Sequence, residues 1–168
     1  MAVQKKDNHQ APPNQRLGFR LQTAKKKLGV PMITFRGVVY PAQTDAMGHM
    51  NVQHYVASFD QAFWHLAEHL GYDTEWRLSR KQGWADVHYE IDFRSELQVG
   101  STFYVKSTID KVGRTSIVTH HSLFNNKEQL CAEIAMTSVY FDLESRKAIE
   151  IPNFIRASAS SMIETRTA

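Results

Sequence analysis

Between Val52 and Leu70 the apolar residues recur at steps of three and four: Val52, Tyr55, Val56, Phe59, Phe63, Leu66, Ala67 and Leu70. That spacing puts them on one side of an α-helix. Ala62 and Trp64 widen the stripe further. A helix with so broad and aromatic a face needs a large apolar surface wrapped around it. Asn51 is a suitable N-cap and Gly71 a suitable C-terminal stop. The rest of the chain must therefore supply a surface that curves around one helix.

Strand patterns supply it. Residues 32–40 are rich in β-branched and aromatic side chains and end at Pro41, which reads as a first strand. Residues 72–83 read as a polar connection. In 84–94, Ala85, Val87, Tyr89, Ile91 and Phe93 alternate with Asp86, His88, Glu90 and Asp92, the pattern of a half-buried strand. Further strands are expected over 102–112, 115–124 and 129–141, with turns at Gly113-Arg114 and Asn125-Asn126-Lys127. Strands joined by such short turns must pair antiparallel. The expected fold is α+β, with a five-stranded antiparallel sheet wrapped around one long helix.

Charge divides the chain unevenly. Residues 1–31 hold seven of the 20 Lys and Arg residues but only one of the 17 acids, Asp7, so the remainder is net acidic. The basic balance belongs to this segment and is no sign of a nucleic-acid-binding domain. Pro12-Pro13 argues against a continuous helix there. The segment reads as a flexible basic tail, as an organellar presequence, or as sequence upstream of a natural start at Met32. The domain is expected over 32–155, followed by a C-terminal tail over 156–168. No run approaches the roughly 20 apolar residues of a membrane-spanning helix. A single cysteine, Cys131, cannot form an internal disulfide and fits a reducing compartment. A cytoplasmic location is expected, or a mitochondrial matrix one if the basic segment is a presequence.

The element order, with Asp45 just before the helix, resembles the hotdog fold. The segment Val39-Tyr40-Pro41-Ala42-Gln43-Thr44-Asp45-Ala46-Met47-Gly48-His49-Met50-Asn51 is similar to the 4-hydroxybenzoyl-CoA thioesterase family. So is the exit from Val139-Tyr140-Phe141-Asp142 to Ile151-Pro152. The likeness covers about residues 33–152. Within the family, Gly37-Val38-Val39-Tyr40-Pro41 and Met47-Gly48-His49-Met50-Asn51-Val52 look most like betainyl-CoA thioesterases. Two positions depart from common patterns: Gln43 stands where many relatives carry a second acid, and Val52 where some carry His.

The resemblance implies an acyl-CoA thioesterase acting on a small or medium acyl group. Asp45 would be the nucleophile, giving a mixed anhydride, or a general base on water, and both remain open. A backbone amide at the helix start, carried by position to Val52, would polarise the thioester carbonyl. The unpaired N–H groups and positive dipole end of a first helical turn suit that task. Gly48 allows close backbone approach. His49 and Asn51 would orient substrate or water, and Met47 and Met50 would form adaptable apolar walls. By spacing alone the same segment is also a capped helix start, with Asp45 and Asn51 satisfying amides.

Other constellations are weaker. His65-Leu66-Ala67-Glu68-His69 matches a zinc-peptidase pattern, but no third ligand is placed for it. His120 and His121 are strand neighbours and point to opposite faces. His88, Glu90 and Asp92 share a strand face, read as an outer or subunit-contacting one, or as the source of a second catalytic acid. No metal or cofactor is expected. Acyl-CoA is the expected ligand, and the thin, edged sheet implies a homodimer or homotetramer. The alternative function is a non-catalytic hotdog domain held in an assembly through the basic tail.

Overall fold

The computed structural model describes residues 31–164. The basic segment read over 1–31 lies almost wholly outside them. The element order is β1 (Met32–Val38), α1 (Val52–His69), α2 (Trp76–Ser79), β2 (Gln82–Phe93), β3 (Thr102–Val112), β4 (Ser116–Asn125), β5 (Leu130–Asp142), β6 (Lys147–Ala148) and α3 (Asn153–Glu164). The sheet runs β1-β3-β4-β5-β2, with β6 added beside β5. Every pairing is antiparallel. This is a hotdog fold: a curled antiparallel sheet around the long helix α1.

The stripe of α1 does what its spacing requires. Phe59, Ala62 and Leu66 are fully buried, and Tyr55, Phe63 and Ala67 nearly so. They meet Ile109, Ile117, Leu123, Ile134 and Met136 from the inner faces of β3, β4 and β5. Each large side chain buried this way contributes about 1.5–3 kcal/mol. Asn51 caps the helix, its Oδ1 accepting the Gln53 N–H at 3.1 Å. Gly71 follows the helix at φ +98°, a left-handed conformation that suits glycine.

Three expectations are corrected. The connection over 72–83 contains the short helix α2, and Trp76 of that helix packs on Tyr72. The sheet has a sixth, two-residue strand. The segment read as a tail from 156 is the greater part of α3, which packs on β3 and buries Ile155 and Ala159 completely. The four-residue step Ile151, Ile155, Ala159 drives that helix onto the core.

The alternation over 84–94 also breaks. The register of β2 on β5 shifts between Asp86 and His88, leaving Val87 as an extra residue that is 61% exposed. A bulge changes which residues face inward. Before it, Trp84 and Asp86 lie opposite the buried Tyr140 and Ser138; after it, Tyr89, Ile91 and Phe93 lie opposite Met136, Ile134 and Ala132. Asp86 thus faces inward, its Oδ1 accepting the Ser138 hydroxyl and its Oδ2 the Tyr89 hydroxyl at 2.7 Å. His88, Glu90 and Asp92 pair with Thr137, Ala135 and Glu133 on the outer face.

Beneath α1 lies a buried polar chain. The Thr34 and Ser107 hydroxyls are 2.6 Å apart, Ser107 Oγ is 2.6 Å from His121 Nδ1, and Thr119 Oγ1 is 2.8 Å from His121 Nε2. His121 is fully buried, with the Phe59 ring 6.5 Å away. Desolvation, and secondarily the charge of His120, pulls its pKa down to about 3. A histidine whose folded pKa is depressed makes the unfolded state bind more protons between about pH 3 and 6.5. Stability is then retained above pH 6.5 and lost as pH falls through that window, by about 1.4 kcal/mol per unit at most. Urea unfolding midpoints measured from pH 4.5 to 7 are expected to rise with pH in the wild type. The rise should flatten in His121→Gln, which cannot titrate.

Candidate functional site

The chain from β1 to α1 is held as a compact ledge. Pro41–Gln43 form one 3-10 turn, closed by the Tyr40 N–H donating to Gln43 Oε1 at 2.8 Å. Thr44 and Met50 then bridge antiparallel, so Asp45-Ala46-Met47-Gly48 form the tip of a small hairpin. The Gly48 N–H donates to the Asp45 carbonyl at 3.0 Å, and Gly48 sits at φ +82°. That left-handed position is why glycine stands there. Asp45 Oδ1 accepts the Met47 N–H at 2.8 Å, which fixes the carboxylate within its own turn.

The ledge is tied to the chain that leaves β2. The Met50 N–H donates to the Leu97 carbonyl at 2.7 Å, and His49 bridges to Gln98. His49 Nε2 lies 3.0 Å from Glu96 Oε2. Leu97 and Met50 are buried, so this seam is part of the core.

A cavity of about 510 Å³ opens where ledge, helix start and β2 end meet. Its volume falls in the range of small-molecule sites. Of the residues singled out by sequence, Asp45, Met47, His49, Met50 and Val52 line it. Gly48 and Asn51 do not; the first turns the ledge and the second caps the helix. The floor is apolar: Tyr55 and Phe93 meet edge to face at 5.3 Å. Burial, more than any charge, raises the Tyr55 hydroxyl to about 12, so it stays protonated.

Four lining residues escaped the sequence reading: Phe93, Arg94, Ser95 and Glu96. They were visible only as the end of a strand and the start of a loop. What brings them beside Asp45 is the Met50–Leu97 seam, which no local pattern announces. Tyr55 was legible, but as a member of the buried stripe.

At the helix start the chemistry is that of backbone donors. Asn51 takes the Gln53 N–H on its side chain and the His54 N–H, at 2.9 Å, on its carbonyl. The Val52 N–H takes part in neither bond, and Val52 is 54% exposed at the cavity. Asp45 and Val52, the first residue of α1, thus border one space, with Tyr55 and Phe93 also lining it.

The rival constellations are dispersed. His65 stands exposed on the solvent side of α1 with its Nδ1 4.0 Å from Glu68 Oε2. His120 points outward to Glu133, 3.4 Å away, while His121 points inward. Among the described residues no three His, Cys, Asp or Glu side chains gather as a metal site would require. Cys131 is buried, and burial raises its thiol pKa. Among the described residues no helix is long and apolar enough to cross a membrane.

Residues 39–158 match the profile of the thioesterase-like superfamily. No curated protein matches the sequence. Solved structures with the same fold include SAV2348 of Staphylococcus aureus in complex with CoA, at TM-score 0.75 and 14% identity, over 83% of this chain and 89% of that one. A 1,4-dihydroxy-2-naphthoyl-CoA thioesterase from Synechocystis aligns at TM-score 0.69 and 20% identity, over 77% of this chain and 96% of that one. A DHNA-CoA thioesterase from Staphylococcus aureus aligns at TM-score 0.69 and 17% identity, over 78% and 89% of the two chains.

Capping gives the ledge a measurable contribution to stability. Asn51→Ala removes the acceptor for the Gln53 N–H and is expected to cost about 1 kcal/mol. Chemical denaturation of the variant against the wild type measures it.

Proposed function

Since the chain belongs to the thioesterase-like superfamily, we propose that it hydrolyses an acyl-CoA thioester to the free acid and CoA. The observation that carries this reading is one cavity bordered by both the Asp45 carboxylate and the start of α1 at Val52. A thioester carbonyl seated there has an oxygen nucleophile or base on one side and a backbone N–H at a positive helix end on the other.

Two courses use the same groups. In one, Asp45 takes a proton from water as the water oxygen bonds to the carbonyl carbon. In the other, Asp45 bonds to that carbon and water later cleaves the mixed anhydride. In both, the carbonyl oxygen becomes an oxyanion received by the Val52 N–H. The carbon–sulfur bond then breaks, releasing the CoA thiolate. One such donor is typically worth about 3 kcal/mol of transition-state stabilisation. Asp45 Oδ1 is already held by the Met47 N–H, so the carboxylate is oriented before substrate arrives.

The acyl group is read as small and polar or cationic. Asp45 and Glu96 provide negative charge, and the rings of Tyr55 and Phe93 provide faces that attract a cation. This agrees with the resemblance to betainyl-CoA thioesterases. Asp45→Asn is expected to lower kcat at least about 100-fold, the scale of a lost acid–base group, while circular dichroism stays native. Thiol release from short, aromatic, long-chain and betaine-like acyl-CoAs tests the rest. Turnover of none of them would sink the thioesterase reading, and equal turnover of all would sink the acyl preference.

The working unit is read as a dimer formed along β2. This strand ends the sheet and exposes Val87, Tyr89 and Phe93 at 61%, 37% and 52%. An apolar edge with unpaired backbone groups favours pairing with a second copy. Phe93 also lines the cavity, so that pairing sets a second subunit beside it. Sedimentation is expected to give a dimer, and Val87→Lys a larger share of monomer.

A further inference from the structure

Of the residues that line the cavity, Arg94 alone carries a fixed positive charge. It stands at the end of β2, where the cavity meets the outer face of the sheet. Its Nη2 donates to Glu133 Oε1 at 2.8 Å and to Asp92 Oδ2 at 3.1 Å, and its Nε donates to Glu133 Oε1 at 3.1 Å. Both acids rise from the outer face, Asp92 directly opposite Glu133 in the β2–β5 ladder. Nη1 takes no part in these bonds. The guanidinium is therefore fixed in orientation by two carboxylates while one edge of its planar fork remains for another acceptor. Its side chain is 51% exposed, so a ligand can reach it without opening the core.

Exposed ion pairs contribute little to stability, so the effect of these three bonds is chiefly to orient the guanidinium. An oriented arginine at the mouth of a cavity is a common means of holding a phosphate. Acyl-CoA has the matching shape. Its acyl end is apolar or small, its pantetheine arm is long and uncharged, and its far end carries a pyrophosphate and a 3′-phosphate. With the thioester at Asp45, the arm must leave the cavity over its rim. A second space of about 350 Å³ lies on the outer face, lined by Glu133, His120 and Lys106 among others. Glu133 joins the two, touching Arg94 on one side and lying 3.4 Å from His120 Nε2 on the other.

We propose that Arg94 anchors a phosphate of the nucleotide end of the substrate, with Asp92 and Glu133 as its positioning residues. The inference rests on the thioesterase reading and adds to it the group that selects a CoA thioester over a thioester lacking the nucleotide. It assigns Arg94 to ground-state binding, so the effect belongs in KM and not in kcat.

The test compares kcat/KM for one acyl group carried on CoA, on dephospho-CoA and on pantetheine. The readout is the preference for CoA over pantetheine. Arg94→Gln is expected to reduce that preference about tenfold, the lower end for a charge-assisted hydrogen bond because the site is half exposed. Arg94→Lys, which keeps the charge without the fork, is expected to keep more of it than Gln does. A loss already complete with dephospho-CoA assigns the pyrophosphate; a loss seen only with full CoA assigns the 3′-phosphate. A preference within twofold of wild type in Arg94→Gln overturns the proposal, whatever happens to the absolute rates. Failure of the thioesterase reading looks different, since the wild type then hydrolyses none of the three.

Discussion

Everything in this protein is arranged around the need to bury one helix. The stripe of α1 includes Tyr55, Phe59, Phe63 and Leu66, all at or below 4% exposure. At about 1.5–3 kcal/mol per large side chain, leaving that face in water would cost about as much as the whole net stability of an ordinary domain. A flat sheet cannot cover so broad a stripe. A curled one can, and the strand twist that curls it comes from the same backbone sterics that operate in any sheet. The curl in turn brings the chain leaving β2 against the ledge before α1, sealed by the Met50–Leu97 hydrogen bond of 2.7 Å. The cavity lies at this closure, where the exposed Val52 at the start of α1 meets the chain leaving β2.

That origin explains which features were legible in sequence. The helix, its Asn51 cap and the strands near 102–112, 115–124 and 129–141 are set by local period and turn residues, and they fall where the pattern puts them. Strand β2 was legible as a strand but not in phase. Val87 belongs to the alternating apolar set, yet a bulge places it in solvent and turns Asp86 inward. Nothing in a run of alternating residues marks where one will be skipped. Helix α3 had a readable four-residue step at Ile151, Ile155 and Ala159, masked by the Ser and Ala residues around it.

The site divides in the same way. Asp45 and Val52 were singled out through the family resemblance of the segment before α1, since by spacing alone that segment reads equally as a capped helix start. Arg94, Ser95 and Glu96 were not, because their place at the cavity depends on the tertiary seam between Met50 and Leu97, 47 residues apart in the chain. The local half supplies backbone donors and a carboxylate. The distant half supplies charge and the aromatic partner for Tyr55. On the proposed thioesterase reading, the local half would do the chemistry, the distant half would hold the leaving group, and both would meet the acyl group.

The buried chain through His121 bears on how such a site stays shaped. Three hydroxyls and an imidazole beneath α1 would each be costly if left unpaired in the core. Paired as they are, at 2.6 and 2.8 Å, they fix the lateral position of β1, β3 and β4 with directional bonds that apolar packing lacks. Strand β1 ends at Val38, and its continuation, through Val39 and the turn at Pro41, is the base of the ledge carrying Asp45. A slip of β1 along β3 would move that base relative to the start of α1. Thr34, which pairs with Ser107 across that boundary, holds the register at the point where a slip would misplace Asp45. The polar chain thus trades some acid stability for a defined distance between a carboxylate and a helix end, and that distance is what a carbonyl seated between them would depend on.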